Sequence, residues 1–298
     1  MHKCMCSVLL EKSIISFKNK KYNHYKCSVC GLVTTSPLIS VKEDIYESGH
    51  YKVKSLFIIP LIINFFDYIY ILILAKQKSI KKSSYILDFG SGKGLFLYFL
   101  KLFKFKNLYG LETSKSRADF SSNLTGLKIS NQFYNSGKIH GVKYDYISLI
   151  HVLEHIESPF KLIDNLLNTS LNKNGVLFIE VPNINSLGYK IGKHVWAHFT
   201  PHFHTNHFTS LCLQKYCDNN NLKFKLLGTF SFYNSSMGMA SSILSLFGYK
   251  GIIFEDLKNK NIFIVLLFLL LIPFTITIEL ASSFFNKGSV IKCFISKE

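Results

Sequence analysis

The 298-residue sequence is 48% hydrophobic, with a mean hydropathy of +0.20 and a formal net charge of +17. That length accommodates one large α/β domain with smaller additions. Almost all of the positive charge is lysine, Arg117 being the only arginine, which argues against a nucleic-acid reader built on bidentate arginine contacts.

In chain order, the lysine runs KNKKYNHYK and KQKSIKKSS lie between apolar stretches. They read as solvating first, with attraction to anionic lipid second. Four of the seven cysteines fall early (Cys4, Cys6, Cys27, Cys30), and Cys212, Cys217 and Cys293 stand apart. An odd, uneven set is a poor disulfide framework. Glu11 and Lys12 break the apolar stretch after Met1, so no cleavable signal peptide is expected and a reducing cytoplasm fits best. Cys27-x-x-Cys30-Gly31 is a turn that lets two thiolates grip one zinc. Cys4-x-Cys6 is the candidate for the other two ligands, although its gap is one residue rather than the usual two. A metal-free form and a redox role for the thiols stay open. Residues 1–50 are expected to form a small module. Residues 51–84 are an apolar lead-in, in which Pro60, Asn64 and Asp67 interrupt the block 55–75. Those interruptions predict a helix leaning on the core or on a bilayer rather than a span, which needs about 20 predominantly apolar residues.

From Tyr85 the sequence alternates. YILDF reads as a buried strand, GSGKG as a turn and LFLYFLKLF as an amphipathic helix. NLYGLE, LKIS, YDYISLIHV, GVLFIEVPN and LKFKLLGTF read as further strands, with helices opened by TSKSRADFSSN and FKLIDNLLNTSL between them. The fold class predicted is α/β: a Rossmann-like, doubly wound, mostly parallel sheet over 85–298. Residues 234–286 interrupt it with a hydrophobic helical insertion containing seventeen uncharged residues from Ile262 to Ile278. GSVIKCFISK then reads as a last strand. If that strand rejoins the sheet, the insertion is a hairpin that dips into a membrane and returns, or an interfacial helix pair. A single span and a helix buried on the sheet are the alternatives.

Asp88-Phe89-Gly90-Ser91-Gly92-Lys93-Gly94 follows a strand and opens a helix, where glycines let backbone turn sharply and approach a ligand. The third glycine comes one residue too early for a dinucleotide fingerprint. Glu112 ends the second strand, eighteen residues after Gly94, where a carboxylate can accept from both hydroxyls of a ribose. The residues after the fourth and fifth strands are rich in titratable groups. His151, Glu154 and His155 follow one, and His202, His204 and His207 the other. His151-Val-Leu-Glu154-His155 also spells H-x-x-E-H, an inverted zinc-protease pattern. That pattern needs a helix, and here its first histidine ends an apolar strand.

With these residues in order, the chain resembles the class I S-adenosylmethionine-dependent methyltransferases over roughly 85–233 and 287–298. ILDFGSGKGLFL looks like their first motif and GLETS like the end of their second strand. DYISLIHVLEHIESP is similar to the fourth-strand motif of a subgroup carrying a leucine-glutamate-histidine triplet. NGVLFIEVPN and HFHTNHFTSLCLQKYC are similar to the fifth strand and the His-x-x-His-Phe-Ser/Thr segment that follows it. The N-terminal segment, through Tyr46 to Tyr51, resembles a zinc-ribbon-like module found on some methyltransferases of sugar and natural-product pathways.

The resemblance implies S-adenosylmethionine as cofactor, with Gly90, Gly92 and Gly94 passing under it. Asp88 would orient the loop or meet the methionine amine, Glu112 would hold the ribose, and Asn131 or Gln132 would reach the adenine. It marks His155 and His204 as the better groups for removing an acceptor proton, with Glu154 beside them as a candidate or as a loop anchor. A divalent metal assisting transfer also stays open. It further implies Cys4, Cys6, Cys27 and Cys30 as Zn2+ ligands. The expected function is methyl transfer to a hydroxyl or carbon of a glycan, lipid-linked sugar or quinone-like lipid. The expected place is the cytoplasm, on the inner face of a membrane, with no nucleic-acid partner. The alternatives are a non-catalytic cofactor-binding membrane scaffold and a nicotinamide-dependent oxidoreductase.

Overall fold

A computed structural model describes residues 6, 10–17, 20–36, 58–76, 80–134, 136–251, 253, 256 and 262–297. Cys4 and the expected module residues from Tyr46 to Tyr51 lie outside them. In chain order come β1 (Glu11–Phe17), β2 (Lys20–Lys26), β3 (Val33–Ser36) and α1 (Ile58–Lys76). Next are β4 (Tyr85–Phe89), α2 (Leu95–Leu102), β5 (Asn107–Glu112), α3 (Lys115–Thr125) and β6 (Ile129–Asn131). They are followed by β7 (Tyr144–Ile150), α4 (Pro159–Asn165), β8 (Leu171–Pro182), α5 (Leu187–Gly192) and β9 (Asn206–His207). The chain ends with α6 (Ser210–Asn219), β10 (Leu222–Gly228), α7 (Phe232–Leu246), α8 (Ile262–Phe284) and β11 (Val290–Lys297). Two compact units divide it: residues 1–39, 181–216 and 226–292, and residues 40–180, 217–225 and 293–298.

Seven strands form one sheet in the order β10-β11-β8-β7-β4-β5-β6. The pairings β4–β5, β4–β7, β5–β6 and β7–β8 are all parallel. This is the expected Rossmann-like α/β architecture, and the strand order reverses at β4. Continuous apolar runs specify such strands because helices cover both faces of a parallel sheet. Thus Leu177, Phe178 and Ile179 of β8 are fully buried. In the second unit Phe178 packs 6.2 Å from Tyr146 and 5.8 Å from Phe294, ring centre to ring centre. Helix α2 buries Phe96, Leu97, Phe99 and Leu100. Against it leans the apolar lead-in helix α1, through Phe65 on Phe99 at 5.2 Å and Tyr68 on Phe96 at 5.5 Å.

In the first unit β1, β2, β3 and β9 form an antiparallel sheet, with Val33 opposite His207. Ile15, Phe17, Tyr22 and Val33 share a core with Ile184, Trp196 and Phe199. The apolar insertion leaves and returns at one place. The amide of Val290 donates to the Thr229 carbonyl at 3.3 Å, and that of Gly288 to Thr229 Oγ1 at 3.2 Å. Between those points α7 and α8 pack through Ala240, Leu244, Ile264 and Phe268. Glu279 is wholly buried near the end of α8, where it accepts from the Ser289 amide at 2.9 Å and its hydroxyl at 2.6 Å. Burial pushes its carboxyl up to about 7, against the lowering effect of those bonds.

Candidate functional site

The turn after β4 is tied to the end of β5. The amides of Gly90 and Ser91 both donate to the Leu111 carbonyl, at 2.8 and 2.9 Å. Gly90, Gly92 and Gly94 all have positive φ (75°, 55° and 74°), a region that favours glycine. Their surroundings differ. A Cβ on Gly90 would stand 2.6 Å from Val152 Cγ2, and one on Gly94 would stand 2.1 Å from Ser121 Oγ. A Cβ on Gly92 would meet nothing within 4 Å. Two of the glycines are therefore required by packing within the protein. The third presents bare backbone to open space, as a ligand cradle requires.

Glu112 holds this arrangement. Its Oε2 accepts from the Gly92 amide at 2.7 Å, and its Oε1 accepts from the Ser114 amide at 2.9 Å. Asn131 Nδ2 donates to the carbonyls of Glu112 and Thr113, at 3.0 and 2.8 Å, fastening the backbone behind the carboxylate. Gln132, beside it, is exposed. Asp88 is buried under the turn and accepts from Ser148 Oγ of the neighbouring strand at 2.8 Å. Burial pushes its carboxyl up to about 7. The Ser148 hydrogen bond lowers it, and the nearby Glu112 charge adds to the rise. Asp88, Gly92, Glu112 and Asn131 are thus brought to one end of the sheet, at the carboxyl ends of adjacent strands where open α/β sheets bind ligands.

Beyond β7 the chain turns sharply at His151, whose φ is 54°. Its amide donates to the Glu180 carbonyl at 2.8 Å. Its Nδ1 lies 3.1 Å from Glu154 Oε1 and its Nε2 lies 3.3 Å from Glu180 Oε1. Desolvation alone would lower the imidazole pKa. The two buried carboxylates outweigh it and raise the group to about 10. His151 thus sits between two buried carboxylates that favour its charged form. The segment Leu153–His155 is a single turn, so the helix that the H-x-x-E-H pattern needs is absent here. His155 stands partly exposed at the end of that turn.

The first unit carries His204, Cys6, Cys27 and Cys30. His204 Nδ1 donates to the His198 carbonyl at 2.8 Å, which fixes Nε2 as the basic nitrogen. His207 is buried against Phe199 (ring centres 5.0 Å apart) and pushed down to about 3 by burial and then by His24. His202 stacks on Phe17 at 5.2 Å. The sulfurs of Cys6, Cys27 and Cys30 all lie within 4.8 Å of one another. The Cys30 amide donates to Cys27 Sγ at 3.4 Å, and Gly31 turns with a φ of 72°. Three converging thiols with an amide aimed at one sulfur fit a tetrahedral zinc site.

Sequence reasoning missed Ser148, Ser114 and Glu180. Ser148 and Glu180 each interrupt a buried apolar strand, and a polar residue in such a place is itself a signal. Ser114 is announced only as the cap of α3, where its hydroxyl accepts from the Arg117 amide at 3.3 Å.

The model of a family described as "Methyltransferase domain" matches residues 67–225, more than half of the chain. No curated protein matches it. Among solved structures, coclaurine N-methyltransferase bound to N-methylheliamine and SAH is 16% identical, with a TM-score of 0.48 over 77% of this chain and 70% of that one. The plantazolicin methyltransferase BpumL in complex with a monoazolic desmethylPZN analog and SAH is 18% identical, with a TM-score of 0.45 over 80% and 83%. An S-adenosylmethionine-dependent methyltransferase from Clostridium acetobutylicum is 15% identical, with a TM-score of 0.42 over 62% and 87%.

Replacing His151 by alanine leaves Glu154 and Glu180 buried together without their cation. Urea unfolding at pH 7 is expected to show a loss of roughly 3–5 kcal/mol. The histidine pKa is raised on folding, from 6.5 to about 10. Its stabilisation is therefore complete below pH 6.5 and lost as pH rises through about 10. The gap between wild type and His151→Ala should close over that window. Equal stability of the two proteins at pH 7 would contradict the ion triad.

Proposed function

As the chain belongs to the methyltransferase-domain family, we propose that it binds S-adenosylmethionine at the turn after β4 and transfers its methyl group to a hydroxyl or carbon acceptor. The observation that carries this reading is Gly92, bare on its outer side and held from within by Glu112. Gly90, Gly92 and Gly94 shape the cradle, Glu112 faces the ribose, and Asp88 lies toward the methionine amine. Asn131 stays at the adenine side as a backbone fastener. When bound, the cofactor supplies a methyl already activated on a sulfonium. What remains for the protein is to align an acceptor and, for a hydroxyl, to take its proton. His204, with its tautomer fixed, suits proton removal, and His155 is the accessible imidazole after β7. Glu154, held by His151, is better suited to positioning than to proton transfer.

The acceptor proposed is a glycan, lipid-linked sugar or quinone-like lipid, because the apolar insertion lies late in the fold. Recovery of the methyl only on soluble sugar nucleotides would contradict a lipid-bearing acceptor.

Calorimetric titration with S-adenosylmethionine and S-adenosylhomocysteine tests the cofactor site. Glu112→Ala should weaken binding roughly 10- to 100-fold, the scale of hydrogen bonds made to a charged group. Glu112→Gln, which keeps an acceptor for Gly92, should fold normally and still bind weakly. Asp88 must ionise to attract the amine, and its pKa lies at about 7. Affinity should therefore rise from pH 6 to pH 8 in the wild type and stay flat in Asp88→Asn. Binding of a nicotinamide dinucleotide in place of either ligand would overturn the reading.

Cys6, Cys27 and Cys30, with Cys4 as the fourth ligand, are assigned to one structural Zn2+. Metal analysis of protein purified without chelator should find one zinc per chain. Cys27→Ser with Cys30→Ser should lose it and lower the melting temperature. Metal-free wild-type protein of unchanged stability would remove this assignment.

A further inference from the structure

Among the described residues, α8 is the one helix long and apolar enough to cross a membrane. Its exposed residues do not scatter. Ile262, Phe263, Leu266, Leu270, Phe274 and Phe284 are between 59% and 86% exposed. Spaced mostly by three or four residues, they follow one side of the helix from end to end. The opposite side carries Ile264, Phe268, Thr275, Glu279 and Ser282, all buried in the protein. A continuous apolar stripe of this kind is more than a monomer exposes by accident.

We propose that α8 lies flat in the surface of an anionic lipid bilayer, with this stripe at the boundary of headgroups and acyl chains. Three observations select this arrangement over a span or a re-entrant hairpin. The chain leaves and returns at the same point, Thr229 meeting Gly288 and Val290, so an odd number of crossings between them is excluded. A two-helix crossing would need α7 to span as well. It has 15 residues, about 22 Å of helix against about 30 Å of hydrocarbon, and nine of those residues are buried inside the protein. A hairpin inserted tip first would carry Lys250, Glu255, Asp256, Lys258 and Lys260 into hydrocarbon, where charges are expensive. Laid flat, the helix is flanked in the sequence by lysines on both sides. Lys250, Lys258 and Lys260 precede it, while Lys287 follows it beside Lys190. The lysine-dominated excess of charge, +17 overall, selects an anionic surface. The inference stands whether or not the methyl-transfer reading holds.

The test combines flotation with depth measurement on the full chain. Liposomes containing 30% phosphatidylglycerol should carry the protein upward, and pure phosphatidylcholine liposomes should carry several-fold less. Leu266→Asp with Leu270→Asp should abolish flotation while leaving the thermal melting profile and cofactor binding unchanged. Tryptophan placed singly at Phe263, Phe274 and Phe284 is then quenched by lipids brominated at different acyl positions, with buried Trp196, the only native tryptophan, as the constant background. Equal, shallow depth at all three positions is the expected result. A maximum at 274 indicates a span and a maximum at 263 a re-entrant hairpin, and either overturns the proposal. So does failure to float, including the case where light scattering shows a dimer lost on Leu266→Asp, which assigns the stripe to a second copy.

Discussion

The carboxylate of Glu112 is shared between two loops. One oxygen takes the amide of Gly92 and the other that of Ser114, so a single side chain fixes the glycine turn after β4 against the cap of the helix after β5. The turn cannot hold its left-handed glycines by local preference alone. Two amide hydrogen bonds to the Leu111 carbonyl and this carboxylate keep it in shape before any ligand arrives. Preorganisation of that kind spares the cost of ordering a loop at the moment of binding. In the proposed function the same carboxylate also faces the ribose, so one side chain would serve both the turn and the ligand.

Around this centre, the ends of the parallel strands carry charges that a sheet interior tolerates only with partners. Asp88 is neutralised in part by burial and steadied by Ser148. Glu154 and Glu180 are held by the His151 cation. These groups give the site a fixed electrostatic pattern: a carboxyl able to ionise near neutrality and a locked ion triad beyond it. The sharp turn at His151 is the backbone consequence. A non-glycine residue at positive φ is held there by a hydrogen bond from its amide to the Glu180 carbonyl and by the two carboxylates.

Much of the fold was legible because parallel strands announce themselves as apolar runs. NLYGLE matches β5 residue for residue, and GVLFIEVPN lies on β8 almost to its end. LKIS starts two residues before β6 and ends one before its end, a short element with few apolar residues to pin its register. The glycine turn was legible as a strand-to-helix turn. Which glycine stays bare was not, since Val152 and Ser121 are brought beside Gly90 and Gly94 only by tertiary packing. The histidines were the least legible. His151, His155, His204 and His207 look alike in sequence. Yet one is a buried-side cation, one is neutral against Phe199, and one is oriented by a carbonyl. The pairing of β3 with β9, about 170 residues apart, leaves no local trace.

Incubation with the methyl-tritiated cofactor shows whether this chain moves a methyl group from S-adenosylmethionine. Purified protein and a detergent extract of bacterial membranes are combined, and the organic and aqueous phases are counted separately. Label is expected in the organic phase, with stoichiometric S-adenosylhomocysteine, from wild type and not from Glu112→Ala. Folded wild-type protein that binds the cofactor yet labels neither phase would contradict methyl transfer and leave a cofactor-binding scaffold in its place.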